Sequence, residues 1–453
     1  MASADRLPAW KLAAFAAPAL PIAAFATPLG IYMPAFYATE MGLGLTTVGT
    51  VLMAARFWDL FTDPLMGVMS DKFPSRWGRR RHWMVLSIPI LIVSAFLVMF
   101  PGWFVGEQVS VPYLLGSLFL LYIGFTMLTI SHLSWGAELT ADYHERSRIQ
   151  GWREFAHLSS MVLVLLIPAV LEQTGNALSG ALKMEAMGWY VIVLAPLAIL
   201  ISVSLVGEKP RVETEPVGFR KAMEVLLTNK YMARILIADL FIAIPGAVRS
   251  AVYIFYVTAI IGMPEWSAII MLSYFAAGPI AVPLWLWINR HMSKHKAAAF
   301  GVLLHVIVSA CYLIPGQGDA LLFACLFFAS GIVYGGVPFL LRSITADIVD
   351  YDKAESGQDR TGLYYSLITT TGKVGGALGI GLGFPLLDLI GFDPSGPNDP
   401  AQLNGLRYVY AFTPVVSELL VFFLLYRFPL GEAMQRKLRE RIEESGQASA
   451  AAR

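Results

Sequence analysis

"RFWDLFTDPLMGVMSDKFPSRWGRRRHW" (Arg56–Trp83) starts as an apolar stretch carrying charge and ends as a basic loop. Read as a helix, it sets Asp59 and Asp63 four residues apart on one face, with Thr62 three residues after Asp59 on that same face. Two carboxylates and a hydroxyl offer only oxygen ligands, which suit a hard cation or a proton rather than zinc or copper. Arg56, three residues before Asp59, is placed to pair with a carboxylate when no cation is bound. A structural ion pair near the helix end is the alternative reading. Charge in a membrane-crossing helix is costly, and residues of this kind face a bundle interior or a water-filled path.

The rest of the chain makes that helix a membrane helix. Of 453 residues, 57% are hydrophobic and 14% charged, against about 25% charged in soluble proteins. The mean hydropathy is +0.62. A bilayer core needs roughly 20 helical residues to cross. By that measure twelve spans are expected, near 12–37, 46–70, 83–100, 113–138, 154–172, 189–206, 235–261, 267–289, 297–314, 319–345, 362–389 and 408–427.

Basic residues test that count, because they gather in cytoplasmic loops. With the N-terminus inside, 27 of the 33 Lys and Arg fall in cytoplasmic segments and two, Lys183 and Arg407, outside. The other four, Arg56, Arg249, Arg342 and Lys373, lie within spans. A miscounted span would swap every later loop and destroy this asymmetry. The expected fold is therefore all-α, twelve transmembrane helices in two six-helix bundles, with both termini cytoplasmic. The bundles are expected at 1–206 and 235–427, joined by a cytoplasmic linker (207–234) and followed by a cytoplasmic tail (428–453). Six spans on either side of a polar loop is the layout of transporters built from two halves.

Beyond the helix-two acids, several residues carry chemistry. Asp71, in "GVMSDK" (Gly67–Lys72), and Arg79, in "GRRR" (Gly78–Arg81), sit at a cytoplasmic rim and read as a conformational latch, with a topology signal as the alternative. Span four ends in "TISHLSWGAE" (Thr129–Glu138), where Thr129, His132 and Trp135 suggest a polar, aromatic-lined cavity, with a hydroxyl bonded to its own helix backbone as the alternative. Arg153 opens span five, as a substrate contact or a membrane anchor. Lys373 lies deep in "TTTGKVGGALGIGLG" (Thr369–Gly383) and needs a carboxylate partner, for which Asp59 or Asp63 is the natural candidate. "ADIVDYDKAESGQDRTG" (Ala346–Gly362) is either a solvated turn or a gate formed by Asp347, Asp350 and Arg360.

No Walker loop, cysteine–histidine metal set or Gly-x-Ser-x-Gly elbow occurs. An enzyme is not expected. No cofactor is expected either, and an ion gradient or the solute itself must supply the energy.

"ARFWDLFTDPLMG" (Ala55–Gly67), "SRWGRRRHW" (Ser75–Trp83), "ADIVDY" (Ala346–Tyr351) and "GKVGGALG" (Gly372–Gly379) together resemble the glycoside–pentoside–hexuronide:cation symporter family of the major facilitator superfamily. A more distant resemblance is to the sodium-dependent lysophosphatidylcholine symporters. The resemblance implies a cation site made of Asp59, Asp63, Thr62 and Thr129, with sodium bound at Asp59 and Asp63 or a proton in its place. It also implies Lys373 and Arg56 as charge partners of that site, and a substrate contact at Arg153.

The sequence departs from the sugar-binding pattern, which uses a carboxylate on helix one and another on helix four. Here those positions are Ala23 and His132, or Ser131 if the register slips by one. The expected function is cation-coupled symport of a sugar or glycoside by alternating access, with a lysolipid or other amphiphile as the alternative substrate. The expected setting is a bacterial inner membrane, with a small-molecule substrate and membrane lipid as partners, no nucleic acid, and a monomeric chain.

Overall fold

The structure, a computed structural model, describes residues 7–73, 75–106, 108–140, 143–176, 179–208, 229–356 and 361–429. Most of the expected linker and tail, and Arg360, lie outside the described residues. The described chain is α-helical, and its helices fall where the twelve spans were expected.

Span one is a broken pair, α1 (Ala9–Ala16) and α2 (Ala19–Thr39). Then come α3 (Leu45–Lys72), α4 (Arg81–Met99), the single turn α5 (Gly102–Val105), α6 (Val111–Glu138), α7 (Tyr143–Leu171) and α8 (Gly180–Leu205). After the linker come α9 (Lys230–Phe255), α10 (Ser267–Ala276), α11 (Gly278–His291), α12 (Lys294–Cys311), α13 (Ala320–Tyr334), α14 (Val337–Ser356), α15 (Thr361–Leu389) and α16 (Pro400–Tyr426). Spans eight and ten are, like span one, two helices in series. The fifth helix begins eleven residues earlier than the apolar run suggests, because the polar segment from Tyr143 continues it on the same axis. Lys183, expected in a loop, is instead buried in the first turn of α8.

Among the described residues nine helical stretches are long and apolar enough to cross a membrane. The other three expected spans fall short for identifiable reasons. Charge interrupts α3, a break after Ala276 shortens span eight, and the Gly- and Thr-rich α15 is only weakly apolar. Prolines inside the helices, such as Pro28 and Pro34 in α2, are tolerable where neighbouring helices satisfy the freed carbonyls.

The described chain forms two compact units. The first takes in residues 1–214, 249–272 and 380–406. Its core is aromatic and aliphatic, with Phe15, Phe25, Tyr37, Phe100 and Trp135 fully buried and the Tyr37 hydroxyl donating to the Val98 carbonyl at 2.8 Å. Here α3 packs on α6, and α4 packs on α6 and α8.

The second unit takes in residues 215–248, 273–379 and 407–453. Trp285 anchors it, its indole N–H donating to the Ile332 carbonyl at 2.8 Å. Gly336 leaves room for that ring; a Cβ there would stand 2.2 Å from Trp285. Gly375 and Gly379 let α15 approach α9 so closely that a Cβ at Gly379 would meet the Ile244 carbonyl at 2.3 Å. Small residues serve membrane helix pairs in this way because tight van der Waals contact, rather than burial from water, holds such helices together.

Candidate functional site

In the first unit, α3 and α6 bring four oxygens together. Thr126 Oγ1 lies 3.0 Å from Asp59 Oδ1, 3.2 Å from Asp63 Oδ1 and 3.2 Å from Thr62 Oγ1. The Thr62 hydroxyl is also 3.1 Å from the Asp59 carbonyl. Asp59 and Thr126 are only 2% and 1% exposed. A hydroxyl has one proton to donate, so Thr126 can satisfy only one of these two carboxylates at a time. The set is hard, oxygen-only and held on two membrane-crossing helices, which suits a small hard cation or a proton.

Three of the four expected cation ligands, Asp59, Thr62 and Asp63, thus share one cluster. The second hydroxyl in it is that of Thr126, not Thr129. Thr129 lies three residues on, roughly 4.5 Å along and 60° around the helix. Its Oγ1 is buried and has no hydrogen-bond partner among the described residues. Thr126 was legible only as a hydroxyl one turn away from Thr129. Arg56 lies on α3, with its guanidinium over the Tyr122 ring of α6 at 5.6 Å. Lys373 is half-buried on α15, in the second unit.

The expected substrate residues follow along α6. Ser131, His132 and Trp135 are all fully buried. His132 Nε2 lies 2.8 Å from the Phe15 carbonyl of α1, and the Phe15 ring packs on both the His132 ring (4.6 Å between centroids) and Trp135 (5.5 Å, edge-on). The helix-one residue opposite His132 is therefore Phe15, two turns before Ala23. Ser131 Oγ, His132 Nδ1 and Trp135 Nε1 have no hydrogen-bond partner among the described residues, and neither has Trp58 Nε1 on α3, whose ring stacks on Phe119 at 4.8 Å. Buried polar atoms are hydrogen-bonded as a rule, so this accumulation marks α6 as a candidate binding face. Arg153 on α7 donates to Gln150 at 3.3 Å.

The expected gating residues separate. Arg79 is bound into a rim cluster, bonding the Glu138 carboxylate beside Arg80 and donating its backbone N–H to Glu208 at 2.5 Å. Asp71 ends α3, but its side chain lies outside the described residues. Asp347 pairs with Lys294 at 2.7 Å in the second unit, and Asp350 is half-buried on the same helix.

Other buried ionisable groups were not singled out from the sequence. His305 on α12 meets Glu418 on α16 through Nδ1, at 2.7 and 2.8 Å from the two carboxylate oxygens, and both residues are buried. In the first unit, Glu172 and Lys183 pair at 2.9 Å, also buried. A lone acid or histidine in or beside an apolar run was the available signal for Glu172, His305 and Glu418.

Three comparisons bear on this arrangement. The family described as MFS/sugar transport protein matches residues 14–432. The chain is 26% identical over 412 residues to the inner membrane symporter YicJ of Escherichia coli K12, covering 88% of this chain and 86% of that one. It is 22% identical over 489 residues to the sodium-dependent lysophosphatidylcholine symporter 1 of Gallus gallus, covering 98% and 90%. In fold it is similar to the nucleoside transporter NupG, with a TM-score of 0.66 at 12% identity over 93% of this chain and 100% of that one.

Proposed function

Because this chain belongs to the MFS/sugar transport protein family, we propose that it is a sodium-coupled symporter of a glycoside-type solute, working by alternating access. It is an integral, multi-pass membrane transporter and not an enzyme. The observation that carries the coupling is the cluster of Asp59, Thr62, Asp63 and Thr126, in which all but the half-buried Asp63 are buried.

In this reading sodium is cargo, held by the two carboxylates and the two threonine hydroxyls. Its charge would take the place of Arg56 and Lys373, the charge partners proposed for the acids. Coupling requires that cation and solute favour the same conformations, so that each raises the other's affinity. The solute would meet the α6 face at Ser131 Oγ, His132 Nδ1 and Trp135 Nε1, which have no hydrogen-bond partner among the described residues, with Arg153 as a further contact. Arg79, Asp71, Asp347, Asp350 and Arg360 keep their proposed gating role. The two bundles divide at the linker, with both termini inside the cell and the chain in a bacterial inner membrane.

One observation favours a second substrate class. The α6 set has no carboxylate to hold sugar hydroxyls, and it packs on the apolar Phe15 ring. An amphiphile such as a lysolipid fits that surface.

Uptake into proteoliposomes under an imposed sodium gradient, with glycosides in one arm and lysolipids in the other, tests the reading. Sodium-driven glycoside uptake is expected. Uptake driven by a proton gradient alone would reassign the ion, and lysolipid uptake would reassign the substrate. Uptake unchanged in the Asp59→Asn and Asp63→Asn variants would refute the site.

A further inference from the structure

On the membrane face opposite the chain ends, the first unit contains two carboxylates that each cap a helix from the other half of the chain. Glu172, just past the end of α7, is 2% exposed. It accepts from the Ala268 backbone N–H at 2.8 Å and from the Ser267 hydroxyl, both in the first turn of α10. Lys183 of α8 bonds the same carboxylate at 2.9 Å. Span five thereby holds the start of span eight. Asp388, at the end of α15, accepts from the Thr46 backbone N–H at 3.0 Å and from the Thr46 hydroxyl, in the first turn of α3. Span eleven thereby holds the start of span two.

The two contacts are related by a shift of six spans: five to eight becomes eleven to two. Their local sequences match as well. Each acid is followed three residues later by a glycine at positive φ, Gly175 at 88° and Gly391 at 72°, which turns the chain where an L side chain would be strained. Each accepts from one backbone N–H and one hydroxyl of a first helical turn. That is where unpaired N–H groups and the positive end of the helix dipole favour a carboxylate. Neighbouring contacts bridge the same early and late segments. Ser250 Oγ donates to the Gly30 carbonyl at 2.9 Å, the Gln173 side chain donates to the Glu265 carbonyl at 2.8 Å, and Gly49 takes the Phe384 side chain so closely that a Cβ would sit 3.1 Å from it.

We propose that Glu172 and Asp388 are a reciprocal pair of gating residues, each a carboxylate latch on the first helical turn of the opposite half, and that both must release for this face to open during transport. The two latches differ in strength. Glu172 is buried and salt-bridged, so a lost bond there is not replaced by water. Asp388 is exposed, and water competes for it. This inference rests on the symport reading only in requiring that access alternates.

The test uses the full-length protein in nanodiscs, with Cys311→Ser and Cys325→Ser, and spin labels on Gln108→Cys and Pro397→Cys, two exposed positions of the first unit on that face. Glu172→Gln should raise the long-distance population about tenfold, the worth of a hydrogen bond to a buried charge. Asp388→Asn should raise it about threefold, as for an exposed helix cap. The double variant should multiply the two effects.

An unchanged distance distribution in Glu172→Gln, with only a lowered unfolding temperature, would make Glu172 a structural salt bridge and overturn the proposal. If Glu172→Gln does not fold, Ser267→Ala removes one donor to the same carboxylate. It should shift the distribution in the same direction, and no shift would equally overturn the latch. The distances are read without any solute. A shift without sodium-driven uptake would therefore break the symport reading alone, and uptake without a shift would break the latch alone.

Discussion

Two buried acid clusters, one in each unit, meet the cost of charge in a membrane in opposite ways. In the second unit Glu418 faces His305 with both carboxylate oxygens within 2.8 Å of one ring nitrogen. A carboxylate and an imidazole in that geometry hydrogen-bond each other directly across the two helices. In the first unit Asp59 and Asp63 converge on a single threonine hydroxyl, and every ligand in the cluster is an oxygen. The first arrangement braces α12 against α16. The second, in the proposed function, receives a cation that arrives and leaves. Burial of charge alone does not distinguish a brace from a binding site; the chemistry of the partner does.

Substitutions at the two clusters should therefore fail differently. The largest effect is expected at the brace: Glu418→Ala leaves His305 buried without its acid and should lower unfolding stability by about 3–5 kcal/mol. A chemical-denaturant or thermal series in detergent reads this. The paired His305→Leu/Glu418→Leu variant should recover most of the loss, because an apolar pair removes both desolvation costs. Next comes Asp59→Asn, which should cut sodium-driven uptake roughly a hundredfold, near the upper end of ordinary site-to-site coupling, while its unfolding temperature stays close to wild type. Thr126→Ala should raise the apparent sodium constant about tenfold, the worth of one hydrogen bond to a charged group. Thr129→Ala should change it within about twofold, since the Thr129 hydroxyl makes no bond in the cluster. Equal effects of the two threonine variants would erase the distinction between them.

The twelve spans and the helix-two acids were legible because a bilayer imposes a length on every crossing helix and sorts basic residues by side. The spacing of Asp59, Thr62 and Asp63 survives into the structure, since helical periodicity alone puts them on one face. The choice of Thr126 over Thr129 was not legible. It depends on how α6 is rotated against α3, and packing sets that rotation. That His132 meets Phe15 of helix one is the same kind of fact, set by how α1 lies against α6. Glu172, Lys183, His305 and Glu418 were each visible as charge in or beside an apolar run. Their pairings join segments between 11 and 113 residues apart, a relation no local pattern encodes. The Glu172…Gly175 and Asp388…Gly391 correspondence is a four-residue echo, too short to register as a repeat until the helices they cap are known.

The central claim is that the α3–α6 cluster holds the coupling ion. A sodium titration of the purified protein by isothermal calorimetry, run on wild type, Asp59→Asn and Glu418→Gln, tests it most directly. Saturable sodium binding in wild type and in Glu418→Gln, and none in Asp59→Asn, is the predicted result. Undiminished binding in Asp59→Asn, or its loss in a folded Glu418→Gln, would contradict it.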